Sequence, residues 1–462
     1  MDSGETVRTL NKRKNFILYP MQNVMGSLVH LFMVAIRPFV PSKYKEKLSE
    51  IEKSKTFINV IGLSFFNSLG GLIVMLTNIK IANVLGAEFY GLYSYFLAIG
   101  EVGSNFVRYG RNKTMTRDLI QKPLKFDGLV SNTLALGTLN FILFFLGVVL
   151  FRKQMDVELS ITSILLIMAP CIVSLDFVSV YESLKEMNWH SIYYFIQRLL
   201  FLLAVWSSIL CVGGLTLSYL GITLFLSWTF IEIVQYKEVI IGFNINLRKE
   251  ISWRNIRDLY KSNFVIALCC LAGVAFGPII RMILKDYADT SVVGVYSAGM
   301  QIFLISSFLM HQVSRVGNPM MAEAGKENVT PYERKVLCKK YFRIMFIAVL
   351  PFAIPLVLFP QFITDLCYTD EYSELGKYLP LFAFYLISLS FGTVYTQFLI
   401  SMKKDILYFV IYVGSAVATV LTAFLLIPIR PLFGAIFALC VPHSIGCLFY
   451  YLCSIKYFKS AA

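Results

Sequence analysis

Of 462 residues, 57% are hydrophobic and only 15% charged, too little polar surface to cover a water-soluble globule of this size. The formal net charge of +14 is not gathered in a polar basic domain, which argues against a nucleic-acid-binding surface. Apolar blocks long enough to cross roughly 30 Å of hydrocarbon recur along the whole chain instead. β-barrel alternation is absent, so the expected fold is an all-α polytopic membrane protein whose backbone hydrogen bonds close within helices.

The first apolar stretch, residues 15–40, is interrupted by Gln22, Asn23 and His30 and flanked on both sides by basic residues, Lys12 to Lys14 before it and Lys43, Lys45 and Lys47 after. Positive charge at both ends favours a helix lying on the inner surface over a thirteenth span. It lacks a small-residue cleavage site, so a removable signal peptide is not expected. Twelve spans follow, at 57–79, 90–110, 128–151, 159–180, 190–211, 214–236, 262–284, 293–314, 342–363, 378–401, 405–427 and 432–455. With the N-terminus inside, the inner segments hold 34 Lys and Arg against 7 outside, Arg198 lying within a span. This bias predicts cytoplasmic N- and C-termini.

The polar stretch 237–261 divides the spans six and six. The expected organisation is an N-terminal region 1–55, a six-helix bundle 56–236, a cytoplasmic linker 237–261, a second bundle 262–456 and a tail 457–462. Gly91-Leu92-Tyr93-Ser94 opens the second span of the first half, and Gly294-Val295-Tyr296-Ser297 opens its counterpart 203 residues on. An even number of spans per half makes the repeat parallel.

Within the spans, a charge at mid-membrane costs about 2.5–3.5 kcal/mol and normally faces a cavity or a partner. Span one carries Ser64, Asn67, Gly71 and Asn78 on one helical face, with Lys80 near its outer end. In span two, Ser94, Glu101, Asn105 and Arg108 are spaced 7, 4 and 3 apart, again one face. Asp176 lies in span four, Arg198 in span five and Glu232 near the inner boundary of span six. In span seven, Gly273, Gly277 and Pro278 interrupt the helix below Arg281 and Lys285. Plainer readings stand beside these. Arg198 can snorkel to the inner headgroups, Lys80 and Arg281 can be interfacial anchors, Glu232 reads as interfacial, and Glu101 and Asp176 can be buried acids that pin helices together. Carried through the 203-residue offset, Glu101 falls opposite Leu304 and Arg108 opposite His311. The charged face is therefore not repeated, which suits a ligand better than a fold requirement.

Enzyme chemistry has little to stand on. No P-loop, nucleophile elbow or H-E-x-x-H sequence occurs, and the outer loops are short for a glycan polymerase or ligase. The nine cysteines form no C-x-x-C or Cys/His cluster, so neither a metal nor another cofactor is expected. Transport is the reading that remains.

The run Leu85-Gly86-Ala-Glu-Phe-Tyr90-Gly91-Leu-Tyr93-Ser94 resembles the LGxxxYGxYs signature of bacterial Wzx-type polysaccharide flippases, within the multidrug/oligosaccharidyl-lipid/polysaccharide exporter superfamily. VRYGRNKTMTRDL (107–119) is similar to the segment closing that family's second span, and Gly294-Val-Tyr296-Ser297 with Asn318-Pro319 resembles its second-half counterpart. TDEYSELGKYLPLF (369–382) is similar to the G-x-x-Y-x-x-A run, with Asp370 where glycine is usual. The resemblance covers roughly residues 55–455. It implies two six-helix bundles around a central cavity in the bacterial inner membrane. It further implies flipping of undecaprenyl-pyrophosphate-linked oligosaccharide repeat units for O-antigen, capsule or exopolysaccharide, coupled to a proton or sodium ion. Polysaccharide polymerase and glycosyltransferases are implied partners. On this reading Arg198, Arg108, Lys80, Arg281, Asn105, Asn67 and Asn78 line the substrate path, while Glu101 and Asp176 balance charge or bind the coupling ion. A multidrug or organic-cation antiporter of the same fold is the alternative, and a membrane glycan polymerase or ligase a more distant one.

Overall fold

The computed structural model describes residues 55–154, 160–184, 186–326 and 329–458. The segment 15–40 and the side chain of Ser64 fall outside this description. Among the described residues there is no strand, and eleven helices are long and apolar enough to cross a membrane. The chain is an all-α multi-pass membrane protein. The helices are α1 (Lys55–Arg108), α2 (Arg111–Gln121), α3 (Phe126–Phe151), α4 (Ile161–Val173), α5 (Val178–Ser183), α6 (Met187–Val212), α7 (Leu217–Tyr236) and α8 (Leu247–Glu250). They continue as α9 (Trp253–Gly273), α10 (Pro278–Tyr287), α11 (Thr290–Ala324), α12 (Pro331–Leu358), α13 (Pro360–Cys367), α14 (Leu379–Ser401), α15 (Asp405–Leu426) and α16 (Pro431–Ile455).

Two of the twelve expected spans share the single run α1, so the count of separate long helices is eleven. The stretch 80–89 has no proline, and helix continues through it on both sides of Gly86. Gly86 alone breaks the helix, with φ 73° and ψ 170°, a region open essentially to glycine. The corner is also held chemically. Ala87 N–H, freed at the start of the second arm, donates to Glu371 Oε2 at 2.7 Å, and Tyr372 Oη donates to the Ala82 carbonyl at the end of the first arm at 3.0 Å. These are the orphan groups that any helix end leaves. The signatures at 85–94 and 369–382 thus meet, one supplying the corner and the other its caps.

The repeated glycines serve a close helix crossing. A Cβ on Gly91 would strike the Thr290 carbonyl and come within 2.8 Å of Gly294 N; one on Gly294 would come within 2.9 Å of Ala87 C. The contact is reciprocal, α1 and α11 each presenting its glycine to the other's backbone. Tyr93 and Tyr296, two residues on in each repeat, are buried.

By contacts the chain forms two units. One gathers the described residues up to Val74, Gly103–Gly213 and Ser218–Ala267. The other comprises Met75–Val102, Gly214–Leu217 and Leu268 onward. The helix α1 therefore enters the second unit at Met75 and leaves it after Val102, while α9 passes from the first to the second at Ala267.

Candidate functional site

Polar side chains gather in each unit. In the first, the expected fourth span ends early at Val173, and α5 resumes at Val178. Ser174 marks the stop, its hydroxyl turned back to the Pro170 carbonyl at 3.0 Å. Asp176 stands in the break and starts the next helix, accepting from Val178 N at 3.2 Å through Oδ1. Its other oxygen accepts from Arg108 Nη2 at 3.0 Å. The Asp176 side chain is 6% exposed and that of Arg108 29%. Gly110, at φ 72°, separates α1 from α2 and brings Arg111 into the same place. Arg111 is buried and donates to the Ser174 carbonyl and, at 3.4 Å, to that of Asp176. Burial pulls its pKa below the usual guanidinium value, opposed chiefly by the Asp176 carboxylate.

From the other side of this cluster α7 contributes Glu232. Glu232 is buried, at 8% exposure. Helix α7 runs on into a π-helical turn, Lys237–Ile241, that carries Glu238 to two phenols. Tyr181 and Tyr193 donate to Glu238 Oε2 at 2.6 and 2.7 Å. Single π turns of this kind recur at functional sites. Arg198, on α6, is half-buried and lies against Gly70, where a Cβ would sit 2.6 Å from Nη1. It forms no ion pair among the described residues. Asn67 and Asn105 are half-buried on α1.

In the second unit the interruption expected in span seven is present. Helix α9 ends at Gly273, a 3-10 turn covers Val274–Phe276, and α10 begins at Pro278. Restarting the helix there sends Arg281 to Glu101, Nη2 to Oε2 at 2.5 Å, with a further bond to the Ser94 carbonyl at 3.3 Å. Glu101 keeps 43% of its side chain exposed and Arg281 only 15%. Asn78 donates to Gln301 at 3.2 Å, and Lys80 is half-buried. The same unit holds an aromatic group around His443, which stacks on Phe276 at 4.2 Å and meets Tyr385 Oη at 2.7 Å.

Four of the residues expected at the site thus form two ion pairs, Arg108–Asp176 in one unit and Arg281–Glu101 in the other. Arg111 was missed, and Glu232 was named but given no role at the site. A signal for Arg111 was present, since VRYGR places it three residues beyond Arg108 across a glycine.

The sequence profile described as "Polysaccharide biosynthesis protein" matches residues 57–324. The chain belongs to this family. No curated protein sequence matches it. Among solved structures, this polysaccharide biosynthesis protein is similar to a multidrug resistance MATE family transporter of the MOP superfamily in its inward-facing conformation, with TM-score 0.68, 13% identity, and coverage of 85% of this chain and 96% of that one. It is similar to the lipid II flippase MurJ in an inward closed conformation, with TM-score 0.67, 12% identity, and coverage of 86% and 89%. A variant of the Vibrio cholerae MATE transporter VcmN gives TM-score 0.59 at 13% identity, covering 87% and 98%. At such identities the likeness is one of fold, that of multi-pass transporters and flippases.

Proposed function

We propose that this protein flips undecaprenyl-pyrophosphate-linked oligosaccharide repeat units from the inner to the outer leaflet of a bacterial inner membrane, by alternating access coupled to a proton or sodium ion, for surface polysaccharide assembly. Membership of a polysaccharide biosynthesis family and a fold shared with a lipid II flippase support the class. The observation that carries the substrate chemistry is Arg198. Its guanidinium is half-buried and has no carboxylate partner among the described residues, so it can present two parallel donors to a pyrophosphate. Arg108 and Arg281 already hold Asp176 and Glu101, which makes them secondary contacts that a substrate reaches by exchange. Lys80 adds charge, and Asn67, Asn78 and Asn105 offer hydrogen bonds to sugar hydroxyls. The cytoplasmic placement of both termini follows from the Lys/Arg distribution. Polymerase and glycosyltransferases would act on the same lipid-linked units.

The test is complementation of a deletion strain. At matched protein levels Arg198→Ala is expected to abolish surface polysaccharide, Arg198→Lys to restore part of it, and Arg108→Ala to do less harm than Arg198→Ala. Normal surface polysaccharide in Arg198→Ala would refute the assignment. Lost drug resistance with intact polysaccharide in the deletion strain would favour the organic-cation antiporter.

A further inference from the structure

Glu232 has no place in the pyrophosphate reading, yet it is the least satisfied acid in its unit. Neither carboxyl oxygen has a hydrogen-bond partner among the described residues. Glu232 and Gln235, three apart on α7, share a buried face. The groups in electrostatic reach of Glu232 are Asp176 from the α4–α5 break, Arg108 at the end of α1, Arg111 on α2, Tyr181 at the end of α5, and Tyr194 on α6. His190, one turn before Tyr194, meets its ring at a tilt, centroids 4.5 Å apart, and lies beside Gln235.

The charges do not cancel evenly. Arg108 is neutralised by Asp176 at 3.0 Å. Arg111, equally close to the cluster, spends its donors on the uncharged carbonyls of Ser174 and Asp176. An ionised Glu232 in this arrangement would be a buried charge with no donor, an arrangement proteins avoid. A protonated Glu232 needs no counter-charge. Once the proton leaves, Arg111 is the cation available to compensate it. Gly137 leaves room beside the guanidinium, since a Cβ there would sit 3.0 Å from Arg111 Nη1.

We propose that Glu232 is the coupling acid of the transport cycle: it carries a proton in the conformation described and releases it during turnover, Arg111 then turning from the Ser174 carbonyl to the Glu232 carboxylate. The O–H bond of Glu232 breaks, the proton passes to water, and Arg111 keeps its charge throughout. Because Arg111 anchors the 174–177 break, its change of partner carries the loss of a proton to the end of α4. A sodium ion fits less well. The guanidiniums of Arg108 and Arg111, both in electrostatic reach of Glu232, oppose a bound cation there. The inference rests on ion coupling in the flippase reading and moves that role from Glu101 and Asp176 to Glu232.

Two measurements on the full-length protein separate the two ideas. In detergent at neutral pH, the infrared C=O stretch of protonated carboxyls should lose the intensity of one acid in Glu232→Gln. The same band persisting unchanged overturns the inference whatever the substrate is. In liposomes with a trapped pH dye, undecaprenyl-pyrophosphate-linked oligosaccharide should move protons through the wild type, and this proton movement should be lost in Glu232→Gln. Proton movement surviving in Glu232→Gln, or wild-type flipping without protons, also overturns it. Failure of the wild type to flip the lipid sinks the flippase reading instead, and the infrared band then decides the protonation of Glu232 alone. Glutamine has the shape of a protonated glutamate, so Glu232→Gln should accumulate normally. A variant that accumulates as Asp but not as Gln marks an obligatory charge and refutes the idea.

Discussion

Replacing Asp176 tests whether the acid in the α4–α5 break is a structural pin. Removing one partner of a fully buried ion pair costs about 3–5 kcal/mol, because the survivor is left charged and dry. Exposed pairs contribute about 1 kcal/mol or less. Here the Asp176 side chain is 6% exposed and that of Arg108 29%, so the abandoned guanidinium can recover part of its solvation. A loss of about 2 kcal/mol is the expected middle ground. Asp176 also accepts the Val178 N–H through its other oxygen, an Asx-type turn just ahead of the helix whose net worth is about 1 kcal/mol. Asparagine keeps that acceptor and alanine does not. Asp176→Asn is therefore expected to cost about 2 kcal/mol and Asp176→Ala about 3 kcal/mol.

The readout is unfolding of the purified protein in detergent, followed with a thiol dye. Cys171 is buried, five residues before Asp176, and reacts only when this region opens; Cys211 is exposed and Cys269, Cys270, Cys367 and Cys453 are half-buried, and these five are replaced by serine to remove background. A double-mutant cycle with Arg108→Met isolates the pair. The expected coupling is about 1–2 kcal/mol, well beyond the few tenths of a kcal/mol within which independent sites add. Additive losses would refute the pairing as an energetic contact. Equal losses for Asn and Ala would refute the contribution of the turn.

Five further substitutions, at four positions, probe the frame that holds the polar residues. Gly91→Ala and Gly294→Ala each drive a methyl group into the facing backbone, and each should cost at least the 1–3 kcal/mol typical of overpacking, seen as a lower unfolding midpoint and poorer accumulation. Wild-type stability in either would show that the crossing is looser than described. Glu371→Gln keeps an acceptor for Ala87 N–H and should lose little, whereas Glu371→Ala removes a charge-assisted bond worth about 1.5–3 kcal/mol, measured in the same dye assay. Gly86→Ala is expected to be worse than either, since φ 73° with ψ 170° strains any side chain.

Hydropathy located most helices because apolar run and helix end together there. The expected 378–401, 405–427 and 432–455 match Leu379–Ser401, Asp405–Leu426 and Pro431–Ile455 to within one residue at each end. Gly213, left-handed at φ 75°, closes α6 as a glycine C-cap does. Elsewhere polar sequence continues the helix and the apolar signal stops short. Helix α11 runs on to Ala324, and α12 starts at Pro331 under a Thr330–Glu333 capping box, eleven residues before its expected span. Thr330, Pro331 and Glu333 could have been read as a helix start, but a search for lipid-crossing blocks passes over them. The break in span seven was legible because glycine and proline announce it. The break in span four was not, since SLD carries neither; Ser174 and Asp176 make it through side-chain bonds to their own backbone.

The charged residues show why pairing escapes sequence. Glu101, Asn105 and Arg108 share a helical face by spacing. In the structure Glu101 is held by Arg281 and Arg108 by Asp176, partners 180 and 68 residues away. A helical face does not fix what each residue on it meets along a helix as long as α1. The absence of Glu101 from the second half suggested a ligand, yet an ion pair explains that absence as well, because Arg281 too belongs to one half only. What survives the pairing is a shorter and more demanding set. Among the described residues Arg198 remains a cation without a carboxylate partner, and Glu232 an acid without a donor. The proposed exchange of an anionic lipid against a proton needs one group of each kind, and the two lie in the same unit on consecutive helices, each within electrostatic reach of Tyr194.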